Sequence, residues 1–140
     1  MSSGKYVIKL CIGFCMAVCA CNNTSKESFV FGPYNNSGIG AKITLRKTSD
    51  VSKCEATCKL TGIEKGIFYD AHLHVGPPAS YSGFAPYGWS DINTSNNPMT
   101  IVIDTSFEIL VNSNSTLVVH DKSKGNERVV LSGFGSNYNN

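Results

Sequence analysis

Ala41-Lys42-Ile43-Thr44-Leu45-Arg46 alternates apolar and polar side chains without a break. A period of two marks a strand with one buried face, whereas a helix would repeat its apolar positions every three to four residues. Cys54–Thr61 repeats the alternation, and Ile67–Val75 and Met99–Ile103 are rich in aromatic and apolar residues. Phe107–Val111, Ser115–His120 and Val129–Phe134 complete a set of short strand candidates divided by Gly, Asn, Ser and Asp clusters. No stretch of useful length carries a helical period. The set predicts an all-β fold, a Greek-key antiparallel β-sandwich or flattened barrel of about seven or eight strands. The proline-rich interval Gly76–Pro98, which holds the only tryptophan, reads as a functional loop because it is longer than a connection needs.

The chain has 140 residues, with 12 Lys and Arg against 10 Asp and Glu and a charged fraction of 16%. That is one small domain. A net charge of +2 gives no nucleic-acid footprint, and the charge density is too low for a disordered acidic chain.

Lys5 and Lys9 precede an apolar segment, Leu10–Ala20, of 11 residues. A membrane-spanning helix needs about 20. The segment therefore reads as a signal peptide over residues 1–20, with cleavage after the small residue Ala20. Val18-Cys19-Ala20-Cys21 also resembles a bacterial lipobox, in which Cys21 would carry lipid; a plain signal peptide is the alternative. Residues 21–28 read as a polar tether and 29–140 as the sandwich domain. The expected location is outside the cytoplasm: periplasmic or a membrane-anchored lipoprotein in a bacterium, otherwise secreted. Contact with a membrane would come only through that N-terminal anchor.

Cleavage would remove three of the six cysteines and leave Cys54 and Cys58 in the folded body. Four residues apart on a straight strand they lie about 13 Å from one another, too far to bridge. They read as two small buried apolar side chains, unless a bend brings them together.

His72 and His74 stand in Ala71-His72-Leu73-His74-Val75, and alternation sends both imidazoles to one face, with Cα atoms about 7 Å apart. One metal ion can take both. His120 ends the apolar run Thr116-Leu117-Val118-Val119, where a third imidazole would complete a three-nitrogen set. Imidazole suits copper and zinc, whereas harder ions would want carboxylates. The alternative is that the two strand histidines are merely polar-face residues.

Taken in order, Ala41–Arg46, Cys54–Gly62 followed by Ile63-Glu64-Lys65-Gly66, Ala71–His74, and Ser115–Lys122 resemble the Cu/Zn superoxide dismutase family. The likeness extends over most of residues 38–135, and the two histidine motifs are its specific parts. It implies that His72, His74 and His120 are three of the four copper ligands. The bridging histidine expected after Pro86 is replaced by Tyr87, whose phenol, or water, would have to serve as fourth donor. The zinc histidines have no counterpart, Asp91 is at most a relic of the zinc aspartate, and no zinc is expected.

The loop before Arg128 is cut to Asp121–Glu127, and the family's second disulfide cysteine is missing from Val129–Gly135. These features are similar to copper-only members. Arg128 matches the arginine that guides superoxide, or it is an ordinary surface cation ahead of a strand. The resemblance implies an extracytoplasmic copper enzyme that dismutates superoxide under oxidative stress. A protein that holds copper, or that uses the sandwich to bind a partner, is the alternative.

Overall fold

The structure, a computed structural model, describes residues 25–80 and 85–135. The expected signal peptide and lipobox-like run, with Cys21, lie outside the described residues. Eight strands follow in order: β1 (Lys26–Phe31), β2 (Gly40–Lys47), β3 (Cys54–Thr61), β4 (Tyr69–Val75), β5 (Tyr87–Ile92), β6 (Met99–Ile103), β7 (Ser115–Asp121) and β8 (Glu127–Phe134), with a short helix α1 (Phe107–Val111) between β6 and β7.

They form two four-stranded antiparallel sheets, ordered β1-β2-β3-β6 and β5-β4-β7-β8. After β3 the chain crosses to the second sheet, lays down β4 and β5, and returns as β6 beside β3. It then crosses again to set β7 beside β4. These are Greek-key connections, and the sandwich does not close into a barrel. Alternation along β2 and β3 points Ile43, Leu45, Ala56 and Leu60 inward, where they meet Leu73, Trp89, Leu117 and Val119 from the other sheet. Burying each aliphatic side chain of this size contributes about 1.5–3 kcal/mol.

Three elements differ from the sequence expectation. Residues 107–111 are helical, not extended. The Ser106 hydroxyl accepts a hydrogen bond from the Ile109 N–H at 3.3 Å and caps the turn, and Glu108 sits favourably at the helix start. Phe107 and Leu110 are buried while Ile109 is 64% exposed, a period of three where a strand would have buried 107, 109 and 111 alike.

The interval 76–98 contains β5, so it is not one long loop. Trp89 and Ile92 anchor β5 in the core, while Gly88, Ser90 and Asp91 depress its strand signal. Finally, β1 begins at Lys26 and takes in three residues of the expected tether, pairing Lys26, Ser28 and Val30 with Arg46, Thr44 and Lys42.

Cys54 and Cys58 are buried and unbridged on the inner face of β3. Each keeps its own ladder partner on β2, Lys47 and Ile43, so β3 has no bend that would join them. Burial pushes the Cys58 thiol up to about 12 and raises that of Cys54 as well. Because the thiolate is the nucleophile, iodoacetamide at pH 8 is expected to leave both cysteines unmodified in the native protein and to label them in denaturant. Labelling of the folded protein at the rate of a free thiol, followed by mass spectrometry, would contradict this placement.

Candidate metal centre

The histidines stand on the two innermost strands of the second sheet. His72 and His74 project from β4 on the face away from the sandwich core, and His120, next to last in β7, stands beside them. The ladder aligns Asp70 with His120, His72 with Val118 and His74 with Thr116. Directly opposed residues share a face, so one surface carries Asp70, His72, His74 and His120. The His72 ring lies 5.5 Å from that of His120 and 6.2 Å from that of His74, centroid to centroid. All three predicted ligands are therefore gathered. No group of three or more His, Cys, Asp or Glu among the described residues already stands in an arrangement enclosing a metal ion. The three rings differ in access. His72 and His120 open into a depression of about 190 Å³ that they share with Asp70 and Asn126. His74, only 8% exposed, lines a neighbouring cavity of about 310 Å³ together with Tyr87, Thr105 and Leu110.

Local backbone geometry sets the donor atoms. The turn from β7 to β8 is short: a single 3₁₀ turn over 122–124, then Gly125 and Asn126 in the left-handed region at φ 64° and 62°. The Asp121 carboxylate accepts the Ser123 N–H at 2.9 Å and fixes its start. This turn brings the Asn126 carbonyl oxygen to 2.9 Å from His120 Nδ1. A carbonyl only accepts, so Nδ1 carries the proton and Nε2 presents its lone pair, the usual way an outer partner orients a ligating imidazole. Burial, and then the neighbouring His120, holds His72 below the ordinary imidazole value, which favours its neutral, ligating form.

On the other side of β4, Gly88 faces His72. A Cβ at position 88 would come within 2.8 Å of His72 Cδ2 and 3.0 Å of the Ala71 carbonyl oxygen. The imidazole occupies the space that any side chain there would need.

Tyr87 is not a donor to this face. It pairs with Leu73, packs against the core and hydrogen-bonds through its hydroxyl to Thr105 Oγ1. Adjacent strand positions point to opposite faces, and position 88, not 87, is the one that looks at the imidazoles. Of the two fourth donors the resemblance allowed, water or the Tyr87 phenol, the phenol is engaged with Thr105 in this arrangement. Arg128 is the ladder partner of His120, across a bulge that leaves Val129 extra. It is exposed and on the histidine face, outside the depression's lining.

Asp70, Gly88 and Asn126 border the candidate centre and were not singled out in the sequence. Asp70 was accessible to the same period-two reading that paired His72 with His74. Asp70 Oδ1 accepts the Asp91 N–H at 2.8 Å, and Oδ2 lies 3.6 Å from Lys122 Nζ, whose closer partner is Asp91 at 2.7 Å. No family model, curated protein or solved structure matches the chain.

Proposed function

We propose that this chain is an exported copper protein of the superoxide dismutase type, holding one copper ion through His72, His74 and His120. The observation that carries the reading is the gathering of three imidazoles on one sheet face, with ring separations of 5.5 and 6.2 Å. Their chemistry fits the metal: neutral imidazole is a good copper ligand, and the hydrogen bond from His120 Nδ1 leaves Nε2 for coordination. When bound, copper supplies the one-electron chemistry that oxidises one superoxide and reduces the next. The chain's own contributions are to hold the donors on two central strands and to attract an anion. Arg128, opposite His120, gives the approaching superoxide a favourable field and a charge-assisted hydrogen-bond donor.

The inward placement of Tyr87 favours a second reading, a copper-holding protein without efficient turnover. With its hydroxyl on Thr105 the nitrogen set stays at three, which suits Cu(I), whereas Cu(II) prefers a tetragonal set.

Metal analysis and competition titration test the site. One copper per chain is expected, with His72→Ala or His120→Ala each weakening binding at least tenfold, about 1.4 kcal/mol. Full affinity in the double variant His72→Ala, His74→Ala would discard the centre. A superoxide assay on the copper-loaded protein then separates turnover from storage.

A further inference from the structure

We propose that Asp70 sets the oxidation-state preference of this centre, its fixed negative charge favouring Cu(II) over Cu(I). The inference rests on the copper reading. It starts from the composition of the depression, whose walls are Asp70, His72, His120 and Asn126. Among these, Asp70 is the one carboxylate.

The ladder sets it directly opposite His120 and two residues before His72, on the face that carries both imidazoles. Its side chain lines the same depression as the His72 and His120 rings, so its charge faces the space between them. Both carboxylate oxygens have other partners, the Asp91 N–H at 2.8 Å and Lys122 Nζ at 3.6 Å. These partners fix Asp70 in place as a positioned charge beside the imidazoles. Three neutral imidazoles give a bound ion no compensation, so a nearby carboxylate stabilises the doubly charged state more than the singly charged one.

Lys122 opposes this effect, and its location limits the opposition. Its ammonium lies nearer Asp91 than Asp70, at 2.7 against 3.6 Å, so Asp91 draws off part of the positive charge that would otherwise cancel Asp70. The triad Asp70, Lys122, Asp91 works as a graded counter-charge at the rim of the depression.

The two sides of the triad make predictions of opposite sign, which a purely structural role would not. Cu(II) and Cu(I) affinities are measured by chelator competition under oxidising and reducing conditions, for the full chain and for Asp70→Asn and Lys122→Met. Asp70→Asn keeps an oxygen that can accept the Asp91 N–H. It is expected to lose at least tenfold in Cu(II) affinity relative to Cu(I), raising the reduction potential by about 59 mV for the one-electron couple. Lys122→Met is expected to move the potential down. An unchanged affinity ratio in Asp70→Asn, or shifts of the same sign in both variants, overturns the proposal while leaving the copper reading intact. A wild-type chain that takes up no copper in either state overturns both.

Discussion

Trp89→Ala is expected to cost about 3–5 kcal/mol of folding stability, the range for removing a large aromatic side chain from a packed core. Trp89 is 1% exposed and lies opposite Ala71 on the inner face of the sheet that carries the histidines. Because Ala71 is small, its neighbour is the one that fills the layer there. A domain of this size has only about 5–15 kcal/mol in hand, so the variant should unfold at a much lower urea concentration. Trp89→Phe should do far less harm. Its ring retains much of the buried area, and the indole N–H it removes has no hydrogen-bond partner among the described residues. A loss below about 1 kcal/mol in the alanine variant would mean that Trp89 does not anchor β5.

Gly88→Val should lower copper affinity as much as His72→Ala does, at least tenfold, although position 88 offers no donor. The added Cβ would meet His72 Cδ2 at 2.8 Å and the Ala71 carbonyl at 3.0 Å, and the carbonyl belongs to the ladder and has little freedom to yield. Relief must come from the imidazole, at a folding cost of about 1–3 kcal/mol for overpacking. Tyr87→His makes the contrast. An imidazole at 87 would point with Leu73 toward the core, so the variant is expected to leave dismutation where it was in a superoxide assay. Copper affinity unchanged in Gly88→Val, by competition titration, would show that β5 does not position His72.

Legibility in the sequence followed the degree to which each element declares one buried face. In β2 and β3 the inner residues Ile43, Leu45, Ala56 and Leu60 alternate with solvent-facing Lys42, Thr44, Glu55 and Thr57, and the strands could be read directly. At the edge, β1 opens with Lys26, Glu27 and Ser28, all exposed, so nothing in its composition separates a paired edge strand from a tether. Three of the five residues of α1, Phe107, Ile109 and Val111, favour strands, and what decides it is a hydroxyl one residue upstream together with the depth of Phe107 and Leu110. The centre shows the same division. Period two delivers His72 and His74 together, whereas Gly88 and Asn126 act through a missing side chain and a main-chain carbonyl. Neither leaves a chemical signature in a string of letters. The pairing of Tyr87 with Leu73, and of Gly88 with His72, is a matter of register that the sequence does not spell out, since one residue separates the two faces.

His72, His74 and His120 ride on β4 and β7, the middle strands of their sheet, with β5 and β8 flanking them on either side. Fraying begins at edges and termini, so the middle of a sheet is the last part of it to open. Copper would then meet a scaffold already assembled, and its capture would add to a finished structure instead of triggering one. On the proposed copper reading, folding and metal loading would be separable events.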